Sequence, residues 1–390
     1  MRRSLYGAMF LMATSAIGPG FITQTTSFTV SLGAAFAFAI LASIVVDIAV
    51  QLNVWRVIGV SGRRAQDLAN EVLPGAGYVL AGFVAVGGLV FNIGNVAGGG
   101  LGLDALLDMD VRTGGAVTAL VAIGIFLSRR AGVAMDRAVL VLGLLMIAMT
   151  AYVAVVSRPP VGVALRNAVL PEEVRILPIL TLIGGTVGGY ITYAGAHRLL
   201  DSGITGPANA RRIGHSAVSG ILVTGLMRVL LFLAILGVVA GGVKLAAENP
   251  AASAFEAAAG QAGLRIFGVI LWAASVTSVI GASYTSASFI TIFHPVLERR
   301  RNVVIVAFIA VSAGVYLIAG QAPVTLLIFA GTFNGLILPV GFGILLWIAA
   351  RRSRDLLGGY AYPRWLLAAG AVAWLASLYL AWQTLPLLKD

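Results

Sequence analysis

Cysteine is absent from this chain, and charged residues are scarce. Without cysteine, the protein can form no disulfide, no iron–sulfur centre and no thiolate metal site. Asp, Glu, Lys and Arg together make up 11% of the residues, whereas a soluble domain carries roughly 25%. A composition this poor in charge, with 59% apolar residues, excludes an ordinary soluble fold and indicates a chain that lies largely within a lipid bilayer.

Apolar runs of about 20 residues recur along nearly the whole chain, which is typical of an all-α polytopic membrane protein. We predict a single transmembrane domain over residues 1–390 with eleven spanning helices. The predicted spans are 6–29, 33–55, 75–98, 114–128, 138–157, 176–199, 214–242, 265–291, 303–320, 323–349 and 365–385. The 48 glycines fit this class, because small residues let helices pack closely in lipid.

The net charge of +11 is distributed in a way that argues against nucleic acid as a partner. Basic residues collect in alternate loops, and 18 of the 26 Lys and Arg residues fall on one side. Because basic loops stay inside, the pattern predicts a cytoplasmic N-terminus and an external C-terminus in a bacterial-type inner membrane. The expected partners are the lipid bilayer and a small-molecule or ion substrate, with a monomer as the transport unit.

Two of the predicted spans contain sequences that break a helix. Gly18-Pro19-Gly20 interrupts the first span, and the segment GGTVGGY, residues 184–190, interrupts the sixth. Unwound backbone at membrane depth is tolerated only where it lines a cavity. Broken helices at matching positions in two halves indicate the substrate site of a transporter. The alternative is that Gly and Pro are simply common in membrane helices.

The matching breaks also predict an inverted repeat. Spans 1–5, within residues 1–157, form the first repeat, and spans 6–10, within residues 176–349, form the second. Because five is an odd number, the second repeat enters the membrane from the opposite side, which supports alternating access. The helix 365–385 is then an eleventh, additional span.

The residues that we expect to bind substrate surround the two breaks, and all of them are neutral. A half-helix that starts after a break presents amides, which suit an anionic group, whereas freed carbonyls suit a cation. The candidates are Gly18, Pro19, Gly20, Phe21, Gln24, Thr25, Gly188, Gly189, Tyr190 and, in the tenth span, Asn334. For hydroxyl side chains, hydrogen bonding within or between helices is the alternative.

Charged residues inside the spans are few, and each is a functional candidate by default. Asp47 and Arg228 either form a structural ion pair or belong to a proton relay, unless Asp47 lies close enough to the cytoplasm to be solvated. His197 and Asp201 either carry a coupled proton or form a solvated helix end. We expect H+ or Na+ as the coupling ion, no cofactor and no enzymatic activity.

Several segments resemble the NRAMP family of proton-coupled divalent-metal transporters. Gly18-Pro19-Gly20-Phe21 stands at the place of the family's Asp-Pro-Gly-Asn motif, and Gly188-Gly189-Tyr190 stands where the family has Met-Pro-His. The stretches Ala273 to Ser286 and Asn334-Gly335 are also similar. The resemblance covers nearly the whole chain. It implies the LeuT-like fold of amino-acid and neurotransmitter–sodium transporters, with substrate between helices 1 and 6.

The chain departs from the family pattern at the positions that carry the chemistry. Gly18, Phe21 and Gly188 take the places of the family's metal-binding Asp, Asn and Met. The sequence has no cluster of carboxylate, His or Met residues at the breaks, so it predicts no transition-metal site there. The charge of a divalent ion would also be poorly compensated, because no residue with a formal negative charge stands beside the breaks. The chain is therefore similar to a divergent branch of the family, and no metal ligand is assigned.

The predicted function is secondary-active transport of a small carboxylate, such as 5-oxoproline or an amino acid. Members that resemble this chain are encoded beside 5-oxoproline-degrading enzymes, so the resemblance also implies such a substrate. The first alternative is transport of a divalent cation such as Mn, Fe or Mg, which the family as a whole implies. The second is a membrane receptor or scaffold that kept the fold without transporting.

Overall fold

The computed structural model describes residues 16–386, and over residues 129–140 it describes the backbone alone. The first part of the predicted span 6–29, residues 6–15, lies outside the described residues, and so does the predicted external C-terminus. All regular structure in the described part of the chain is helical. This agrees with the predicted all-α class.

Sixteen α-helices, labelled α1 to α16, lie in the described part of the chain. They are α1 Pro19–Leu32, α2 Phe36–Ser61, α3 Ala65–Val72, α4 Ala76–Leu107, α5 Val111–Leu127, α6 Arg129–Val156, α7 Val161–Val169, α8 Ile176–Thr186, α9 Ile191–Asp201, α10 Ala210–Ala240, α11 Pro250–Ile290, α12 Pro295–Arg299, α13 Arg301–Ala319, α14 Pro323–Arg351, α15 Ser353–Leu356 and α16 Arg364–Thr384. Short 3-10 turns follow α1, precede α10 and follow α11.

The predicted number of eleven spans is not confirmed. Within residues 16–386, eight helical stretches are long and apolar enough to cross a membrane, or nine if a bent pair of helices counts as a further span. The stretch Pro19–Ser61 contains the second predicted span and residues 19–29 of the first, and Val111–Leu127 is a shorter apolar helix. The fifth predicted span, 138–157, lies in α6, the first helix of the bent pair. The chain then turns by 108° between Val141–Val156 and Val161–Val169.

Glycines let the central helices approach until their backbones touch. A Cβ atom at Gly102 of α4 would lie 2.6 Å from the backbone nitrogen of Trp272 in α11. A Cβ atom at Gly98 would lie 2.2 Å from the ring of Pro19, so the start of α1 is pressed against α4. Because lipid tails are as apolar as the helix surfaces, the hydrophobic effect does not drive membrane helices together. Close van der Waals packing of this kind holds them together instead.

Contacts between loops bring basic segments together at one end of the helix bundle. Arg56, near the end of α2, donates a hydrogen bond to the hydroxyl of Tyr360 at 2.7 Å. Arg352, after α14, donates to the carbonyl of Glu71 in α3 at 3.1 Å. Loops that carry basic residues and are far apart in the chain therefore meet at one end of the bundle. We call the end that contains Arg56 and Arg352 the basic end.

Candidate functional site

The sixth predicted span is broken where the sequence indicates. Helix α8 ends at Thr186, and α9 begins at Ile191. Between them, Gly189 has a φ of +53°, a left-handed conformation that glycine adopts without steric cost. The stretch Ile176–Asp201 is more completely buried than the other apolar stretches of residues 16–386. The break therefore lies in the middle of the protein rather than at its lipid-facing surface.

The first break is the start of α1. Pro19 is the first helical residue, and Gly18 is the N-cap. Proline suits this position because its φ is already helical and its missing N–H would have had no partner. No side chain in the described part of the chain caps this helix end, which leaves amides of the first turn available to a ligand. The helical half expected before the break falls mainly outside the described residues.

Gln24 and Asn334 each use the nitrogen of the side-chain amide to hold a neighbouring helix. Gln24 Nε2 donates to the carbonyl of Leu327 at 2.8 Å. Asn334 Nδ2 donates to the carbonyls of Gly87 at 3.0 Å and Ala330 at 2.8 Å. Because a carbonyl can only accept, these bonds determine which end of each amide is the oxygen. Both oxygens then remain available for another donor.

The two free amide oxygens lie against the break of the sixth span, one at the end of α8 and the other at the unwound segment. A Cβ atom at Gly185, in the last turn of α8, would lie 2.5 Å from Gln24 Oε1, and a Cβ atom at Gly189, in the unwound segment, would overlap Asn334 Oδ1. Within residues 16–386 neither oxygen has a hydrogen-bond partner, and both side chains are fully buried. The structure thus brings three predicted residues, Gln24, Gly189 and Asn334, together with Gly185. The amides of Gln24 and Asn334 provide two buried acceptors against the break.

Two hydroxyl groups and one amide nitrogen, all buried, lie on the Gly18 side of the same region. The Tyr190 hydroxyl faces Asn95, and the Tyr190 ring packs edge-on against Phe91 at 5.7 Å. A Cβ atom at Gly18 would lie 2.7 Å from Ser278 Oγ. Tyr190 Oη and Asn95 Nδ2 lie next to each other, and neither they nor the buried Ser278 Oγ forms a hydrogen bond of regular geometry within the described chain. An unpaired buried polar group costs about 1–3 kcal/mol, so these atoms favour a ligand that pairs with them.

Thr25 and Gly188 have structural roles beside the breaks. The Thr25 hydroxyl donates to the carbonyl of Phe21 at 2.7 Å, one helical turn earlier. The alternative interpretation of hydroxyl side chains therefore applies to Thr25. A Cβ atom at Gly188 would lie 2.6 Å from the carbonyl oxygen of Gly184 and 2.8 Å from that of Asn334. Gly188 therefore allows the unwound segment to pack against α8 and α14.

The two charged residues predicted inside the membrane lie beside the same break. Arg228 Nη1 donates to Thr186 Oγ1 at 3.0 Å, and the guanidinium carbon lies 4.3 Å from the ring centroid of Phe21. Asp47 faces Thr186 and Arg228. Asp47 and Arg228 are each 1% exposed, so the alternative in which Asp47 is solvated is wrong. Neither oxygen of Asp47 has a hydrogen-bond partner in the part of the chain that the structure describes.

His197 and Asp201 have different surroundings although they lie one helical turn apart. His197 is 3% exposed, its Nδ1 lies 3.0 Å from Ser288 Oγ, and its ring stacks on Phe289 at 5.0 Å. The alternative prediction of a solvated His197 is therefore wrong. Asp201 is partly exposed and accepts a hydrogen bond from Tyr284 at 3.1 Å. The structure does not bring either residue to the breaks.

A cleft of about 470 Å³ opens at the basic end beside Asp201. Its lining residues are Gly62, Arg63, Arg64, Gln66, Asp67, Leu200, Asp201, Thr291, Ile292 and Glu298. From the cleft, Gln66 donates to the carbonyl of Ser288 at 2.8 Å, and the hydroxyl of Ser288 contacts His197. Polar contacts therefore lead from the cleft to a buried imidazole.

Comparison with known proteins decides the family. The sequence model for natural resistance-associated macrophage protein-like (Nramp) proteins matches residues 9–386. The chain belongs to the Nramp family. This Nramp protein is 52% identical over 368 residues to YcsG, an uncharacterized membrane protein of Bacillus subtilis (strain 168); the match covers 94% of this chain and 90% of that protein. The predicted resemblance is thereby confirmed, and the protein is a transporter-family member rather than an enzyme.

Solved structures confirm the predicted fold class. A manganese transporter of Eremococcus coleocola, crystallised with an aromatic bis-isothiourea compound, superposes with a TM-score of 0.76 at 16% identity over 98% of this chain and 86% of that chain. MhsT in complex with L-phenylalanine superposes with a TM-score of 0.69 at 15% identity over 96% of this chain and 97% of that chain. At such identities the likeness concerns the fold alone, which is that of Nramp and LeuT-like transporters.

Phe91 was not predicted from the sequence, and Asn95 and Ser278 stand in polar spans that could face the same cavity but are not among the predicted substrate-binding residues. Phe91, Asn95 and Gly98 are spaced by four and three residues, so they share one face of α4. Gly98 meets Pro19, and Phe91 meets Tyr190. A search for glycines and amides on one helical face, in a span next to a break, would have found this face.

Proposed function

We propose that this Nramp protein is a secondary-active transporter for a small carboxylate that also carries an N–H group, such as an amino acid or 5-oxoproline. The observation that carries the proposal is the set of unpaired buried atoms around the breaks. Asn95 Nδ2 can only donate, Gln24 Oε1 and Asn334 Oδ1 can only accept, and the hydroxyls of Tyr190 and Ser278 can do either. A ligand that both donates and accepts pairs with all of these atoms, whereas a bare cation leaves the donor of Asn95 without a partner.

The positions of these atoms suggest how such a substrate lies. Its carboxylate would face the first turn of α1, where the amides after Pro19 carry a partial positive charge. Its N–H would face Gln24 and Asn334. Residues 1–157 and 176–349 would form the two inverted repeats that alternate access to this site, with residues 365–385 outside them. Among the described residues no group of three or more His, Asp or Glu residues could hold a metal ion.

We infer that the coupling ion is H+ rather than Na+. Asp47 and His197 are titratable groups within the predicted spans, and the structure buries both of them. Intramembrane titratable residues commonly form proton relays. Uptake that is driven by an inward proton gradient, and that does not change when Na+ is replaced by choline, supports this. Uptake that requires Na+ and does not depend on the proton gradient contradicts it.

A divalent cation is the second candidate substrate. The structurally similar Eremococcus coleocola protein is a manganese transporter, and Gln24 Oε1 and Asn334 Oδ1 are free oxygens at the break. Neutral oxygens are ligands that hard cations accept. They leave the charge of a divalent ion uncompensated, however, and burying an uncompensated charge is costly. For this reason the carboxylate is the first choice.

Uptake into proteoliposomes of the purified protein distinguishes the two substrates. We expect uptake of radiolabelled 5-oxoproline or of an amino acid, and we expect excess Mn2+ not to compete. Gln24→Ala removes one acceptor and should reduce the uptake about 10-fold. Mn2+ or Mg2+ flux that Gln24→Ala abolishes, without carboxylate uptake, would refute the carboxylate proposal.

A second variant tests whether transport passes through the breaks at all. Gly20 lies in the first turn of α1, where an added Cβ atom would already lie 3.5 Å from both Phe91 and Gln24. Gly20→Leu should therefore fill the site and abolish uptake. Intact uptake by Gly20→Leu would mean that the substrate takes another path. If the wild-type protein binds ligands but moves none of them, the receptor alternative is favoured.

A further inference from the structure

Arg228 presents an unpaired hydrogen-bonding edge between the two broken helices. Its Nη1 is held by Thr186, the last residue of α8 before the break, and one face of the guanidinium is covered by Phe21 in the first turn of α1. Nε and Nη2, which share the opposite edge, have no partner within residues 16–386. The guanidinium plane is thus oriented by two contacts, while its edge is left available.

An available guanidinium edge in the protein interior requires an explanation. Unsatisfied donors on a buried charged group cost more than those on a neutral one, and Arg228 is 1% exposed. Asp47 interacts electrostatically with Arg228 and lies beside Thr186, but no hydrogen bond joins its carboxylate to the guanidinium. Asp47 therefore balances the charge of Arg228 without occupying its donors.

The free edge has the chemistry of a carboxylate receptor. Nε–H and Nη2–H point in parallel, and this fork matches the two oxygens of a carboxylate. The cation–π contact with Phe21 restricts rotation of the guanidinium, which lowers the entropy lost when a ligand binds. The amides at the start of α1 lie in the same region, because Phe21 belongs to that first turn. The two positive features therefore converge on one place.

We propose that Arg228 anchors the carboxylate of the substrate through Nε and Nη2, next to the amide end of α1, while Asp47 compensates the guanidinium charge. This inference rests on the proposed carboxylate transport and adds the residue that recognises the charge. It implies that Arg228 is a specificity-determining residue: a ligand whose carboxylate is replaced by a carboxamide should bind far more weakly.

The test measures affinity by isothermal titration calorimetry with the purified, full-length protein. The probes are 5-oxoproline and the standard amino acids, each compared with the analogue in which a carboxamide group replaces the carboxylate. For the tightest carboxylate, Arg228→Gln should weaken binding about 10- to 100-fold and should remove the preference for carboxylate over carboxamide. The matched control is Arg265→Gln, which breaks a bridge to Asp108 at 2.6 Å outside the site and should leave the affinity unchanged.

A double substitution separates recognition of the ligand from charge balance. Asp47→Asn with Arg228→Gln removes both buried charges, so it should fold even if Arg228→Gln alone does not. We expect the double variant to bind as weakly as Arg228→Gln, and we expect the matched pair Asp108→Asn with Arg265→Gln to bind normally. Recovery of carboxylate binding in the Asp47/Arg228 pair would mean that Arg228 only balances Asp47, and would overturn the proposal.

The remaining outcomes are also decisive. Arg228→Lys keeps the charge but offers a single point donor instead of a fork, so its affinity should fall several-fold; unchanged affinity contradicts bidentate anchoring. If the wild-type protein binds no carboxylate, the proposed function fails and this inference fails with it. If the wild-type protein binds a carboxylate and Arg228→Gln binds it equally well, only the anchoring role is wrong.

Discussion

Gly185, at the end of α8, and Gly189, in the unwound segment, pack the break of the sixth span against two amide side chains. The contacts of these glycines with Gln24 and Asn334 leave no space for a methyl group. The clustering of glycine around residues 184–190 allowed the break to be predicted from the sequence. The two amides that press on it come from positions 24 and 334, and no local pattern could show that they meet there.

Gly185→Ala should lower the stability of the protein and abolish transport. The added methyl group would lie 2.5 Å from Gln24 Oε1, and inserting a methyl group into a closely packed site costs about 1–3 kcal/mol. The thermal unfolding midpoint of the purified protein in detergent measures the loss. Gly124→Ala is the control, since no atom lies within 4 Å of a Cβ atom at that helical position. An unchanged midpoint for Gly185→Ala would show that the break does not pack on Gln24.

At the scale of the helix, α5 begins with a side-chain cap. The Asp110 carboxylate accepts hydrogen bonds from the backbone N–H and the hydroxyl of Thr113, both at 2.9 Å. These bonds lower the pKa of Asp110 from the ordinary carboxyl value of 3.8. A carboxylate with a lowered pKa stabilises the folded protein at pH values above 3.8, and this contribution is lost as the pH falls through the folded-state pKa.

Asp110→Ala should lower the unfolding midpoint at pH 7, and its difference from the wild type should shrink as the pH falls below 3.8. Unfolding midpoints in detergent over this pH range measure the effect. Asp110→Asn keeps an acceptor for the Thr113 amide without a charge, so it should retain part of the stability and show no such pH dependence. If all three proteins respond to pH in parallel, Asp110 does not cap α5.

The helices also show where periodicity and composition are insufficient. The fifth span was predicted to end at residue 157, and the chain turns by 108° after Val156, but the short helix α7 that follows the turn was not predicted. Pro159 and Pro160, which stand at this turn, explain why no helix continues through it. A hydropathy profile records how apolar a segment is, and it carries no information about the direction in which the segment leaves the membrane.

At the scale of the whole molecule, the basic loops identify one end of the helix bundle. The predicted orientation places this end in the cytoplasm. The contacts of Arg56 with Tyr360 and of Arg352 with Glu71 bring loops from both halves of the chain to it. Because the chain contains no cysteine, a single introduced cysteine can report which side of the membrane each loop occupies.

In intact cells, a membrane-impermeant maleimide should label Lys244→Cys but not Arg300→Cys. Lys244 and Arg300 are exposed residues, one in a loop predicted outside and the other in a loop predicted inside. After permeabilisation, both variants should be labelled to the same extent, and the cysteine-free wild type serves as the blank. Labelling of Arg300→Cys in intact cells would reverse the predicted orientation.

The sequence by itself determined the helical membrane class of the protein and the place of the break in its sixth span. These properties follow from local composition: apolar runs of spanning length, and Gly and Pro at positions where a helix cannot continue. Only the tertiary structure decided which side chains meet at the breaks. The unpaired edge of Arg228, the free oxygens of Gln24 and Asn334 and the burial of Asp47 depend on helices far apart in the chain, so the packing of those helices, and no local pattern, determines them.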